Sequence, residues 1–158
     1  MPAAGGRAAP PRPGRNVVSG ALLGVGIAAF LDETVFHQLL HWHHFYDRAS
    51  ASLGLVSDGL FHAFGWFATV ASLFLFADLR RRGDLQPRRW LGALLLGAGA
   101  FQLYDGIVQH KLLRLHQIRY GVDLGPYDLV WNLVAAALVA TGVVLLVRTR
   151  GRSTSRPA

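Results

Sequence analysis

Apolar residues fill four long stretches of the chain, at about 17–40, 58–77, 90–113 and 127–147, and polar residues gather between them. Each stretch has roughly the ~20 residues a helix needs to cross the hydrocarbon core of a bilayer. The pattern predicts an all-α fold, a four-helix transmembrane bundle, with residues 16–148 as one membrane domain. Residues 1–15 carry four prolines and three arginines without apolar periodicity, and residues 149–158 are again basic, so both ends are expected to be disordered tails. A basic start followed by an apolar run is also the layout of a cleavable signal peptide. Against cleavage, the first run continues into a polar motif that returns inside the chain.

That motif closes the first run as Asp32-Glu33-Thr34-Val35-Phe36-His37-Gln38-Leu39-Leu40-His41-Trp42-His43-His44. It returns 73 positions later, where Asp105, His110 and His116 match Asp32, His37 and His43. The second run opens Asp58-Gly59-Leu60-Phe61-His62, and the fourth opens Asp128-Leu129-Val130-Trp131-Asn132. Gly24 and Gly26 of the first run match Gly97 and Gly99 of the third. The expectation is two parallel-duplicated helix pairs about an axis along the membrane normal. Small residues would let the first and third spans approach closely and share one site.

Charge adds topology. Twelve of the sixteen Arg and Lys residues lie in the N-terminal tail, the connection between the second and third runs, and the C-terminal tail. Both termini are therefore expected in the cytoplasm, with the motif residues toward the outer face. Because the arginines flank apolar runs without interleaved aromatics, the net charge of +7 points to lipid bilayer rather than to nucleic acid. The absence of cysteine excludes disulfides, thiolate ligands and a catalytic thiol, so any metal is held by nitrogen and oxygen. No Gly-rich phosphate loop, His-Glu-x-x-His helix or Gly-x-Ser-x-Gly elbow is present, which leaves phosphate transfer, zincin proteolysis and serine hydrolysis without a handle.

An Asp at the centre of a membrane helix costs roughly 2.5–3.5 kcal/mol on insertion scales. Asp32 and Asp105 therefore need partners, and imidazole and carboxylate together suit zinc, copper or iron. On an α-helix Glu33, His37, His41 and His44 share a stripe, whereas Asp32 and His37, five apart, point about 140° from each other. Both aspartates are thus expected to meet histidines of neighbouring helices. The candidate metal ligands are His37, His62 and His110, with His116 or His43, and Asp32, Asp58 and Asp105 as ligands or as carboxylates orienting them.

Plainer roles stand beside these. His62 fits a hydrogen-bonded core histidine; His41, His43 and His44, next to Trp42 and Tyr46, fit the headgroup belt; Asp58 and Asp128 fit helix N-caps. The competing functions are a haem-binding membrane electron carrier, a proton-coupled carrier, and a non-catalytic assembly partner of a membrane complex or of a homo-oligomer.

Three segments carry a family resemblance: Asp32-x-x-Val35-Phe36-His37-Gln38-Leu39-Leu40-x-Trp42-His43-His44, then Asp58-Gly59-Leu60-Phe61-His62-Ala63, and Tyr104-Asp105-Gly106-Ile107-Val108-x-His110-Lys111-Leu112-Leu113-x-Leu115-His116-Gln117. With these the chain, over about 18–147, resembles a family of predicted bacterial membrane proteins of unknown function, domain-of-unknown-function family twenty-two forty-three. The resemblance implies a four-span protein of the bacterial inner membrane and supplies no activity. Glu33 and His41 stand where the family pattern has glycine and glutamine, and the resemblance implies that these two positions are less essential than the shared ones.

Overall fold

The computed structural model describes residues 13–150; the parts of the expected tails at 1–12 and 151–158 lie outside the described residues. Among these the chain forms helices and no strand: α1 (Pro13–Asp32), α2 (Ala51–Arg81), α3 (Pro87–Leu103) and α4 (Gly125–Thr149). A π-helical segment continues each of two helices, π1 (Glu33–Leu39) after α1 and π2 (Tyr104–Leu112) after α3. The four resulting rods are each long and apolar enough to cross a membrane.

Local chemistry sets the helix starts. Pro13 opens α1, where its fixed φ and missing N–H suit a first turn. Arg15 then pairs with Asp78 of α2 at 2.9 Å, and Asn16 holds the α2–α3 connection through Asp84 O (3.0 Å) and Gln86 N (2.7 Å). Helix α2 begins at Ala51, ahead of the expected 58, because the Ser50 side chain accepts from Leu53 N. Asp58 is consequently two turns inside the helix and not its cap. Asp128 does not cap α4 either; its carboxylate takes the Lys111 ammonium, while Asp123 accepts from Gly125 N.

Helices α1 and α3 form the inner pair, α2 lies on α1 and α4 on α3, and α2 and α4 do not pack against each other. The expected bundle is therefore a row in the order α2, α1, α3, α4. Large apolar side chains stay exposed on the outer helices, Leu60, Phe67 and Phe74 on α2 and Leu129, Val130 and Leu133 on α4, as a lipid-facing surface requires. The inner helices meet at backbone distance through glycine. A Cβ on Gly24 would strike Leu94 O and Ala98 N, and one on Gly97 would strike the backbone of Ala21. Gly26 and Gly99, expected at the same seam, face outward instead, Gly26 against Gly65 and Thr69 of α2 and Gly99 against Ala135 and Val139 of α4. Each inner helix needs two small faces because it is packed on both sides.

The inner helices also end alike. Leu40 N bonds Val35 O at 2.9 Å and Leu113 N bonds Val108 O at 2.7 Å; Trp42 N bonds Phe36 O at 2.9 Å and Leu115 N bonds Gln109 O at 3.0 Å. His41 and Arg114 both take φ +50°, the left-handed turn that stops a helix. The chain then folds back and carries His43 and His116 inward.

Candidate metal centre

The π segments decide which groups meet. A π-helix bonds i to i+5, so residues five apart come to one face instead of diverging as on an α-helix. His110 Nε2 accordingly lies 3.0 Å from Asp105 Oδ2, and Asp32, His37 and His43 present ligand atoms within 4.8 Å of one another. The expectation that each aspartate meets only histidines of neighbouring helices is corrected. The partner is first the histidine of its own segment.

Four buried histidines form the middle of the cluster. Ring centroids stand 4.5 Å apart for His37 and His43, 4.5 Å for His43 and His116, and 4.8 Å for His110 and His116. The loops cross to orient the central two: His43 Nδ1 lies 3.0 Å from Ile118 O, and His116 Nδ1 lies 2.9 Å from Phe45 O. A carbonyl only accepts, so each Nδ1 carries the hydrogen and each Nε2 is left with its lone pair. Those Nε2 atoms are buried without a hydrogen-bond partner, as are both ring nitrogens of His110 and Nε2 of His37. His43, His110 and His116 bring ligand atoms within 4.8 Å of one another. Asp105 stands beside them, 3.0 Å from His110 Nε2 and 3.4 Å from His116 Nε2 but off the hydrogen-bond axis, and its Oδ1 is held by Gln109 at 3.0 Å.

His43 sits in the connection after π1, outside the helical rods. Burial, and after it the neighbouring His116, push its imidazole down to about 2, so it is neutral at physiological pH.

A carboxylate-rich arm extends from His37. Its Nδ1 is aimed at Asp58 Oδ1 (3.1 Å), while Glu33 Oε2 lies 2.8 Å from the same nitrogen off the N–H axis. Asp58 also takes Phe45 N at 2.7 Å and His44 Nδ1 at 2.6 Å. Glu33, His37 and Asp58 form a third group whose ligand atoms lie within 4.8 Å.

One expected ligand falls elsewhere. His62 is half-buried against the Phe30 ring, centroids 5.2 Å apart, and belongs to none of the three groups; it lies on α2 one turn past Asp58. His41 is exposed, and its part is the left-handed backbone turn. His43, by contrast, lies within two of the three groups, and His44 bonds Asp58 at the edge of the cluster. Glu33 and Gln109 are additions. Glu33 was set aside for its departure from the family pattern, although it shares a helical stripe with His37. Gln109, matched by Phe36 in the first motif, is found by asking what lies one helical turn after Asp105.

Membrane-length helices around buried histidines and carboxylates define a helical membrane protein with side chains able to hold a metal ion. The family described as Predicted membrane protein (DUF2243) matches residues 19–149, and the chain belongs to it. No curated protein and no solved structure matches the chain.

Proposed function

We propose that this protein binds a transition metal, copper, zinc or iron, at the extracytoplasmic end of a four-span domain in the bacterial inner membrane. His43, His110 and His116 hold the ion, with Asp105 as fourth donor or as the carboxylate that orients His110. The observation that carries the reading is the pair of buried, partnerless Nε2 atoms on His43 and His116, whose tautomers are set by carbonyls from the opposite loop. Burying lone pairs without partners is unfavourable, and a metal removes the cost. Zinc ligands about 2.0–2.1 Å from the ion stand roughly 3.3 Å apart in a tetrahedron, so atoms within 4.8 Å need only a small contraction.

The orientation rests on the arginine asymmetry, which places both termini and the α2–α3 connection in the cytoplasm. Descent from a tandem duplication is supported by the recurrence at 73 residues of the glycines Gly24 and Gly97, of the helix exits and of the crossed histidine bonds. The haem alternative is disfavoured because the histidine rings touch one another, leaving no slot for a macrocycle between axial ligands.

A proton relay without metal is the second reading, supported by the chain His44–Asp58–His37, which runs from a partly exposed ring to a buried one. One experiment separates the two. Elemental analysis and an optical spectrum of detergent-purified protein should show a bound transition metal whose content falls in His116→Ala. Protein never exposed to chelator that carries no metal, and takes up none at neutral pH, leaves the relay reading.

A further inference from the structure

Four carboxylates are buried at this end of the molecule, those of Asp32, Glu33, Asp58 and Asp105, each in a residue no more than 3% exposed. Among the described residues, the ion-pair partners of Glu33, Asp58 and Asp105 are histidines and never lysine or arginine. Charge taken out of water without compensation remains costly even after relaxation. A single divalent ion among His43, His110 and His116 lies beside Asp105, and leaves Glu33 and Asp58 uncompensated on the far side of His37.

The two halves treat this position differently. In the second half Asp128, which aligns with Asp58, takes the ammonium of Lys111, and Gly106 replaces Glu33. In the first half Gln38 stands where Lys111 stands, and it is neutral; its amide donates to Glu33 Oε1 at 2.7 Å. The chain thus adds a carboxylate and removes a cation at one place. Glu33 Oε2 remains buried without a hydrogen-bond partner, 2.8 Å from a ring nitrogen that is aimed elsewhere. Ligand atoms gathered around a shared ion have such spacing without hydrogen-bond alignment.

Resting on the metal reading above, we propose that Glu33, His37 and Asp58 form a second cation site, adjacent to the histidine site, for a divalent ion that favours oxygen donors. Two carboxylates with one imidazole suit Mn²⁺, Fe²⁺ or Zn²⁺, whereas three imidazoles suit copper and zinc. With an ion at His37 Nδ1, the ring's hydrogen sits on Nε2, and Asp32, grouped with His37 and His43, is the carboxylate at hand. The centre is then dinuclear, one ion on each side of the contact between His37 and His43.

The test is metal stoichiometry on full-length, detergent-purified protein, loaded with Zn²⁺ and separately with Mn²⁺, dialysed and measured by elemental analysis, with paramagnetic resonance on the Mn²⁺ sample. Wild type should hold two zinc ions per chain. Glu33→Gln with Asp58→Asn should hold one and lose the bound Mn²⁺ signal, and His116→Ala should keep that signal. Glu33→Gly, which installs the residue found at position 106, replaces the double variant if the latter is not monodisperse. One zinc ion in wild type, unchanged in the carboxylate variants, overturns the second site and leaves the histidine site standing. Two ions retained in the carboxylate variants overturn its location. No bound metal in wild type overturns both sites together.

Discussion

His43 and His116 lie face to face, ring centroids 4.5 Å apart and planes within 4° of parallel. Two stacked imidazoles in a buried place tolerate a proton poorly, and His43 is held down to about 2 by burial and by His116. In the unfolded chain the same residue titrates near 6.5. Above that pH neither state binds the proton and His43 has no effect on stability. As pH falls through ~6.5 the unfolded chain takes up a proton that the folded protein refuses, and stability declines. The thermal midpoint of metal-free protein in detergent should be level from pH 8 to about 7 and drop below that, with a shallower drop in His43→Asn. A midpoint that is flat down to pH 5 contradicts this.

Metal content should separate the histidines. His62→Ala should leave stoichiometry unchanged, because His62 lies against Phe30 outside the ligand groups. Asp105→Asn should weaken affinity about 10–100-fold, the usual effect of disturbing a carboxylate that orients a ligating imidazole. Equal losses in the two variants would show that His62 reaches the ion.

The inner seam should be the least tolerant part of the fold. Gly24→Leu and Gly97→Leu force side chains into facing backbone and should cost about 1–3 kcal/mol or more, seen as loss of monodisperse protein or a lowered midpoint. Gly59→Leu, with open space around its Cβ position, is the control. Similar behaviour of all three would remove the seam as a stability determinant.

The cysteine-free sequence allows a direct topology test. Ala49→Cys and Arg81→Cys are both exposed, at the histidine end and at the arginine-rich end. An impermeant thiol reagent on intact cells should label Ala49→Cys and spare Arg81→Cys. The opposite result inverts the orientation.

The four membrane-length rods were legible in the sequence, since crossing a bilayer demands long apolar helices and the residue pattern carries that demand on its face. The site was legible in membership and not in geometry. Asp32, His37, Asp105 and His110 stood out as costly residues repeated at one interval, but an α-helical period sets the members of each pair on different faces. The change of pitch at Glu33 and at Tyr104 brings them together, and nothing in residue type announces a π segment. Glu33 and His44 were hidden for another reason. Their arrangement departs from the repeat, which gave no guide to a feature present in one half alone.

His43 is held by Ile118 O and His116 by Phe45 O, so each loop supplies the other's acceptor. Synthesis runs from the N-terminus, so His43 is made before its acceptor at residue 118 exists. Until then His43 lacks its acceptor, although Asp58 already holds the same connection through Phe45 N and His44 Nδ1. The two connections therefore close only on each other, and displacing either one unseats a histidine contributed by the other half.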